Sequence, residues 1–425
     1  MPALRIAFLI PLLLLVASCS QQPVKVASQT GEPACECKAG RKPVQLPDMP
    51  LPPSVTEPIE ETPTATPDYG LLQPSSWEAV DAQLMQDDLA ASWQAWQQSC
   101  NALQNRAPWQ AACQAAARIN ASPVKPDNET IASYLKQYFD VYQATTEDGS
   151  DTGLITGYYE PLLHGSRFKT NVYRYPLYGR PGDLITVDLS SLYPELKHKR
   201  VRGRLIGNKV VPYYDRREIE ENDPLQGQEI LWVDDIIDLF FLQIQGSGVV
   251  QLENGERVHV GYADQNGQAY SSIGRLLIEQ GELTADKASM QGIKNWARNN
   301  TDKLRDLLYS NPSYVFFREL PAGLPGPLGA LGVPIIGERS VAVDPRYIPL
   351  GAPILLSTTY PNSSKPLNRL MMAQDTGGAI KGGVRADFFW GAGAEAGKKA
   401  GAMKQQGKIW VLLPKDFFLM QTVKK

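Results

Sequence analysis

The chain has 425 residues, of which 43% are hydrophobic and 20% are charged, so it is long enough for two globular domains with extended tails. Its formal net charge is −3 and its pI is near 5.8, which argues against a nucleic-acid partner because general nucleic-acid binding leaves a basic footprint. The 35 glycines and 33 prolines favour a mainly β protein with α segments over a helical bundle.

The amino-terminal segment, residues 1–18, has the pattern of a signal peptide. Arg5 precedes an apolar run that is too short to span a bilayer as a helix. Residues 16–19 (VASC) resemble a bacterial lipobox, which implies cleavage before Cys19 and acylation of that cysteine; an ordinary secretory signal with an incidental cysteine is the alternative. Because Ser20 follows the cysteine, the resemblance implies a Gram-negative outer-membrane lipoprotein that faces the periplasm.

Residues 19–74 are rich in proline and poor in aromatic residues, so we expect a lipid-anchored linker without a core of its own. Among the remaining cysteines, Cys100 and Cys113 flank a helix break at Pro108. A helical hairpin could bring these two together as a disulfide, which an exported protein can form. Whether Cys35 and Cys37 pair is left open. The three histidines are scattered, so we expect no metal and no cofactor.

Folded structure is expected from Ser75, where residues 75–78 have the spacing of a capping box. Helical spacing of apolar residues predicts helices from about 89 to 100, 109 to 117 and 131 to 142. From about residue 152 to residue 413, short runs of Val, Ile, Tyr and Phe alternate with turn residues, which predicts strands. Within this region we expect a helical turn leading into a strand over 231–245, a hairpin over 249–260 around Asn254 and Gly255, and helices over 272–281 and 285–308.

Three aspartates near the carboxyl terminus are the candidates for chemistry. Asp344 precedes a proline and favours a turn, which indicates a structural role. Asp375 precedes Thr-Gly-Gly, and either an Asx-turn or an active-site role fits; with Lys381 nearby we expect it to stay ionised. Asp387 is followed by Phe388-Phe-Trp390, and apolar surroundings raise the pKa of a carboxyl group, as a general acid requires.

The motifs around these aspartates, residues 340–351, 372–382 and 385–391, resemble the three-aspartate (3D) domain. Together with residues 156–161 (TGYYEP), 241–248 (FLQIQGSG) and 311–317 (NPSYVFF), they make the chain similar to the membrane-bound lytic murein transglycosylase A (MltA) family from about residue 78 to 415. The resemblance implies a double-ψ β-barrel, related to barwin and certain endoglucanases, over 75–157 and 309–425. A smaller β-domain over 158–308 would be inserted, with a glycan-binding cleft between the two.

The resemblance also implies an activity and a set of site residues. The enzyme would be a monomeric peptidoglycan lytic exotransglycosylase, a carbon–oxygen lyase that cleaves the MurNAc–GlcNAc β-1,4 bond and leaves 1,6-anhydro-MurNAc ends. Its partners would be peptidoglycan glycan strands and, through the lipid anchor, a membrane. Asp387 would be the catalytic acid and base, with Asp375 beside it in the site. The candidate substrate-binding residues are Thr156, Gly157, Tyr158, Tyr159, Gln245, Gly246 and Asp344, although the two tyrosines fit core packing equally well.

Two alternatives remain at this point. In the first, the protein is an inverting peptidoglycan or glucan hydrolase in which Asp387 is the acid and Asp375 is the base that activates water. In the second, it is a lipoprotein that binds glycan without cleaving it.

Overall fold

The computed structural model describes residues 67–193, 196, 201–285, 287–415 and 417. The expected signal peptide, Cys19, Cys35, Cys37 and most of the expected linker lie outside the described residues. In the part of the chain that is described, no helix combines the length and the apolar character needed to cross a membrane.

Strands outnumber helices among the described residues, as the composition predicts. The strands are β1 (Leu72–Pro74), β2 (Phe139–Ala144), β3 (Gly153–Glu160), β4 (Leu162–Ser166), β5 (Tyr175–Tyr178), β6 (Ile185–Thr186), β7 (Arg202–Ile206), β8 (Lys209–Pro212), β9 (Glu229–Val233), β10 (Ser247–Leu252), β11 (Arg257–Gln265), β12 (Val315–Glu319), β13 (Ser340–Val343), β14 (Pro353–Thr359), β15 (Pro366–Asp375), β16 (Ala386–Ala392) and β17 (Lys404–Pro414). The helices are α1 (Asp81–Leu84), α2 (Trp93–Leu103), α3 (Gln110–Asn120), α4 (Asn128–Tyr138), α5 (Arg216–Asn222), α6 (Ile236–Gln245), α7 (Ile273–Glu279), α8 (Met290–Asn299), α9 (Leu304–Tyr309) and α10 (Gly393–Ala402). A mainly β fold with α segments is therefore confirmed.

The largest sheet closes on itself. Its strand order is β1-β2-β17-β14-β15-β13-β16-β3, and β17 also pairs with β3, so six of its strands form a ring. Two neighbouring pairs in the ring, β13 with β15 and β16 with β3, are parallel, and the other ring pairs are antiparallel. A closed ring leaves no unpaired edge among these six strands. The double-ψ crossing of its connections stays a prediction.

Helices α2, α3 and α4 pack together beside the barrel. The Trp96 indole donates a hydrogen bond to the Tyr134 hydroxyl at 2.9 Å, and that hydroxyl donates to the Ala112 carbonyl at 2.9 Å. Cys100 and Cys113 form the disulfide that the sequence predicts, joining α2 to α3. The same hydrophobic cluster includes residues from these helices and from the barrel strands, so the helices and the barrel share one core.

Three predictions of element type are corrected. Helix α4 ends at Tyr138 instead of continuing to residue 142, because Phe139 and Val141 bury alternate side chains in β2 against β17. Residues 229–245 form a strand followed by a helix, the reverse of the expected order, since the Asp235 carboxylate caps α6 by accepting from two backbone amides. Residues 285–308 hold two helices, α8 and α9, where one was expected.

A second sheet has the order β12-β11-β10-β4-β9-β5, and a third, smaller sheet contains β6, β7 and β8. The hairpin predicted around Asn254 and Gly255 is confirmed as β10 and β11, with Gly255 at φ +85° in the turn. By strand pairing, the chain stays in the barrel as far as Glu160, and Val315–Glu319 still belongs to the second sheet.

The end of β3 joins the barrel to the second sheet. The Gln245 side-chain oxygen, at the end of α6, accepts a hydrogen bond from the Tyr159 amide at 3.1 Å. Glu160 is only 3% exposed, and its carboxylate lies 3.4 Å from Nδ1 of His259 on β11. Burial raises the pKa of Glu160, and the charge of His259 opposes that rise. A polar junction therefore holds the two sheets together just beyond Tyr158.

Candidate active site

Five neighbouring barrel strands place one residue each in a single row. Asp387 on β16 pairs with Ala342 on β13 and with Thr156 on β3. Ala342 also pairs with Asp375 on β15, and Thr156 pairs with Lys404 on β17. Since neighbouring strands lie about 4.8 Å apart, the Cα atoms of Asp375 and Asp387 are roughly 10 Å apart. Ala342 is the residue of the row between the two aspartates, and it is 3% exposed.

The Asp387 carboxyl group has the properties of an acid near neutral pH. Burial raises its pKa to about 6, even though a hydrogen bond from Thr156 and the charge of Arg385 both oppose the rise; the charge of Asp375 adds to it. The Thr156 hydroxyl donates to Oδ1 of Asp387 at 2.6 Å. Because the pKa lies near the operating range of many enzymes, Asp387 can both give and recover a proton.

The apolar surroundings of Asp387 differ from those that the sequence predicts. In a strand alternate side chains share a face, so Phe389 lies on the face of Asp387 while Phe388 and Trp390 point the other way, into the main core. The Phe389 ring centroid is 5.0 Å from that of Tyr158. These two belong to a small apolar cluster with Ile335, Ala342 and Ile380. One of the three predicted aromatic neighbours therefore contributes to the floor of the site.

Asp375 is held by three hydrogen-bond donors. Its Oδ2 accepts from the Tyr158 hydroxyl at 2.8 Å, and its Oδ1 accepts from the backbone amides of Thr376 at 2.9 Å and Ala330 at 3.0 Å. Burial raises the pKa of Asp375, against the effect of these three bonds. The sequence predicts that Asp375 stays ionised beside Lys381; burial instead favours its protonated form, and Lys381 is not among the groups that hold it.

The Ala330 amide is a site group that sequence reasoning missed. It lies in the Gly- and Pro-rich segment before β13, which carries Ala330 over the end of β15. Any residue except proline can donate a backbone N–H, so the side chain gives no signal for this role. Gly329 does give one, because a Cβ there would lie 2.5 Å from the Gln374 carbonyl oxygen and prevent the close approach.

Two of the expected substrate-binding residues, Gly157 and Tyr159, face the core instead. A Cβ on Gly157 would lie 2.7 Å from Nε1 of Trp390, and Tyr159 is 7% exposed with its ring packed against Gly397 of α10. Thr156 and Tyr158 occupy the other face of β3, with the aspartates. The structure therefore brings Thr156 and Tyr158, but not Gly157 and Tyr159, to the face that carries the aspartates.

Asp344 is also not available to a glycan, since it is 0% exposed. Its Oδ2 accepts from the Arg346 guanidinium at 2.8 Å and from the Gly382 amide at 2.9 Å. Although burial acts to raise the pKa of Asp344, these bonds lower it below its usual value. Asp344 thus fixes the loop that leads from Asp375 to Asp387, which corrects its placement among the substrate-binding residues and agrees with the structural role that the Asp-Pro pair indicates.

Gln245 and Gly246 lie at the junction of β3 with the second sheet. Gln245 uses its side-chain oxygen on the Tyr159 amide, and Gly246 ends α6 at φ +78° with open space where a Cβ would project. Two cavities, of about 520 and 550 Å³, lie elsewhere: one is lined by residues such as Arg118 and the other by residues such as Arg202. Neither is lined by a residue of the aspartate row, which consists of Asp375, Ala342, Asp387, Thr156 and Lys404.

Comparison with known proteins identifies the family. Residues 154–318 match the family model described as the MltA specific insert domain, and residues 339–413 match the 3D domain. Membrane-bound lytic murein transglycosylase A of Escherichia coli strain K12 is 33% identical over 286 residues, which cover 65% of this chain and 70% of that protein. The chain belongs to the MltA family.

Solved MltA structures share the fold. MltA from Neisseria gonorrhoeae, in a monoclinic form, is 39% identical with a TM-score of 0.68, and the match covers 78% of this chain and 89% of that one. Escherichia coli MltA with bound chitohexaose is 27% identical with a TM-score of 0.57, and the match covers 76% of this chain and 89% of that one. The resemblance drawn from the sequence is therefore confirmed at the level of the MltA family and fold.

Proposed function

We propose that this chain is a lytic transglycosylase that cleaves the β-1,4 bond between N-acetylmuramic acid and N-acetylglucosamine in peptidoglycan. The observation that carries the proposal is the carboxyl group of Asp387, which has a pKa of about 6 and lies in one row with Asp375 across a single small residue. The names of the relatives support the substrate, since they are lytic murein transglycosylases. The chitohexaose bound to Escherichia coli MltA supports a site for a linear glycan.

A single acid suffices for this reaction. Protonated Asp387 donates its proton to the glycosidic oxygen, and the bond from that oxygen to C1 of the muramic acid breaks, leaving an oxocarbenium-like centre. The 6-hydroxyl of the same sugar then attacks C1, and its proton passes to the Asp387 carboxylate. The products are a 1,6-anhydromuramic end and a new N-acetylglucosamine end, with no water consumed and the acid restored. An acceptor within the same sugar has a high effective concentration, which favours this route.

Asp375 is better suited to stabilise a nearby positive charge than to act as a general base. Although burial raises the pKa of Asp375, three protein donors already occupy its two oxygens, which leaves little of the carboxylate to bind and activate a water molecule. Its negative charge, two strands from Asp387, would stabilise the positive centre that forms at C1. This argues for the transglycosylase over the inverting hydrolase on the same row.

The test is a digest of purified murein with product masses measured by mass spectrometry. The wild-type protein should release muropeptides with 1,6-anhydro ends, each lighter by one water than the hydrolysis product. Asp387→Asn, which keeps the shape of the side chain, should reduce kcat by about a thousandfold or more. Asp140→Asn, at an exposed position on β2, is the matched control and should leave kcat unchanged.

Two results would contradict the proposal. Reducing-end products that carry the extra water would identify an inverting hydrolase. A folded wild-type protein that binds glycan but releases no muropeptides would identify a binding module.

We also propose how the glycan is held and how the chain is divided. Gln245 and Gly246, beside the end of β3, would contact sugars at the junction between the barrel and the second sheet, with the glycan lying in a cleft there. Strand pairing supports an inserted domain from about residue 161 to 320 in place of the expected 158–308. The double-ψ topology of the barrel belongs to the same proposal.

The anchor is proposed from the sequence. Acylation of Cys19 would hold a monomeric enzyme at the outer membrane on its periplasmic side, and the relatives are named membrane-bound. Cys19→Ala should move the protein from the membrane fraction to the soluble fraction. A variant that stayed membrane-bound without acylation would contradict the anchor.

A further inference from the structure

The aspartate row carries opposite charges at its two ends. Asp375 lies at one end, and Lys404, opposite Thr156 in an antiparallel pair, lies at the other. Directly paired residues share a face of the sheet, so Lys404 is on the face of Thr156 and Asp387. Its Cα lies two strands from that of Asp387, roughly 10 Å away, a distance of about two sugar rings that its long side chain shortens.

Lys404 is exposed, and its side-chain ammonium makes no ion pair or hydrogen bond with any of the described residues. By contrast, Lys408 on the same strand pairs with Asp151, and Lys399 on α10 pairs with Glu338. The positive charge at the end of the row is therefore free to meet an anionic ligand.

Arg385 adds a second positive charge near Asp387. Its guanidinium donates to the Ala386 carbonyl at 2.6 Å and to the Leu154 carbonyl at 3.4 Å, and it is two residues before Asp387 in the chain. Its charge acts on Asp387, whose pKa it lowers. The β3 side of Asp387 is thus cationic, whereas the β13 side leads to Asp375.

The two sugars of peptidoglycan differ in charge. N-acetylglucosamine is neutral. N-acetylmuramic acid carries a lactyl ether that ends in a carboxylate, or in an amide to a stem peptide with carboxylates of its own. A cation beside the cleavage point distinguishes these sugars, which apolar stacking on the rings does not.

We propose that Lys404, assisted by the charge of Arg385, binds the carboxylate of the muramic acid substituent and thereby sets which sugar lies next to Asp387. The inference rests on the proposed function and deepens it, because it assigns the specificity for muramic acid to a residue of β17. An exposed ion pair contributes modestly, so the expected effect is a change of about three- to tenfold in affinity.

Binding in the inactive Asp387→Asn background tests this, measured by calorimetry at low salt. The ligands are chitohexaose, which has no carboxylate, and a peptide-free murein hexasaccharide, which has one on every second sugar. Lys404→Gln should weaken binding of the murein hexasaccharide about three- to tenfold and leave chitohexaose within about twofold. Lys404→Arg should restore it. Lys125→Gln, at an exposed position between α3 and α4, removes the same charge and should change neither affinity.

A peptide-bearing murein strand identifies the source of the carboxylate. A greater loss with the peptide-free ligand assigns the lactyl carboxylate, and a greater loss with the peptide-bearing ligand assigns the stem peptide. Equal weakening of chitohexaose, or no weakening of either murein ligand, overturns the proposal. Absence of anhydro products from the wild-type digest would instead overturn the proposed function, and it is measured separately from affinity.

Discussion

At the scale of single residues, the site is built on the alternation of side chains along two strands. Thr156 and Tyr158 on β3 face the aspartates, while Gly157 and Tyr159 face the core. The same alternation selects Phe389, out of three consecutive aromatics, as the apolar neighbour of Asp387. The site therefore lies on one face of a sheet, and only every second residue of each strand has its side chain on that face.

The pKa of Asp387 predicts how activity depends on pH. In the proposed mechanism Asp387 must be protonated to begin the reaction. Its pKa is about 6, so the protonated fraction is high below pH 6 and falls as the pH rises through it. We expect kcat on murein to decrease about tenfold per pH unit well above pH 6. A profile measured from about pH 4.5 to pH 8.5 checks this. A rate that rises through pH 6 would mean that Asp387 acts in its ionised form.

Thr156 predicts a shift of that profile. Its hydroxyl stabilises the charged form of Asp387 and lowers its pKa, so Thr156→Val should raise the pKa and move the falling limb of kcat to higher pH. Thr156→Ser keeps a hydroxyl group and serves as the control, with the limb near its original position. A loss of kcat in Thr156→Val without any movement of the limb would show a purely structural role.

Much of this residue scale is readable from the sequence, and part of it is not. The raised pKa of Asp387 could be predicted, because Phe389 is one of its apolar neighbours in the sequence. The alternation of residues 156–159 between the site and the core could also have been predicted, once Thr156 was placed on the side of a strand that faces the site. The contact between Ala330 and Asp375 could not, because it joins backbone to side chain across 45 positions and has no signature in residue type.

At the scale of elements, the strand that ends in Asp375 is tied to helix α2. Gln374 is 0% exposed, and its amide donates to the Ala95 carbonyl at 2.7 Å and to the Ser99 hydroxyl at 3.0 Å. Its side-chain oxygen accepts from the Ser340 hydroxyl at 2.6 Å. One buried side chain thus joins α2, β15 and the start of β13, so it positions both Asp375 and the strand that separates the two aspartates.

Replacing Gln374 with leucine should lower the free energy of unfolding. Gln374→Leu leaves buried hydrogen-bonding groups without partners, which costs about 2–4 kcal/mol of unfolding free energy. Gln406→Leu, at an exposed position on β17, should change it by less than about 0.5 kcal/mol. Urea unfolding measures both. If Gln374→Leu were as stable as Gln406→Leu, the link between helix and barrel would have no energetic role.

The sequence predicts the type of an element correctly where the spacing of its apolar residues fits only the helical period or only the strand period. The hairpin around Gly255 and the presence of helix α2 are examples, although α2 starts at Trp93 and not at residue 89. The run over 229–245 consists of two apolar stretches, 230–233 and 236–242, interrupted by Asp234, Asp235 and Asp238, and within such short apolar stretches periodicity does not tell strand from helix. The end of α4 was also missed, since Phe139 and Val141 continue a helical spacing nearly as well as a strand alternation, and their pairing with distant β17 decides.

At the scale of the whole molecule, the barrel is interrupted by a long excursion. Strand β3 ends at Glu160, the second and third sheets use residues up to Glu319, and β13 resumes the barrel at Ser340. The family resemblance predicts such an insertion. Composition and periodicity do not, because strand register between distant segments depends on contacts that no local pattern encodes.

All five residues of the aspartate row lie between positions 156 and 404 of the sequence, so catalysis should not need the amino-terminal residues. A chain that begins at Pro67 keeps every described contact of the row. We expect its kcat/KM on soluble glycan strands to stay within about twofold of the Cys19→Ala full-length chain, since no group that touches the reacting atoms is removed. A tenfold loss would assign a catalytic or binding role to residues 1–66.

The placement of Asp387 between β3 and β13 also sets the order in which activity can arise during synthesis. Thr156 is synthesised first. The other four residues of the row, including Asp375, Asp387 and Lys404, are made only after the whole inserted segment. Closing so large a loop is slow, because contacts between distant segments must form together. A nascent chain therefore lacks the assembled site around Asp387, and the proposed cleavage of peptidoglycan begins only after β16 and β17 have joined the ring.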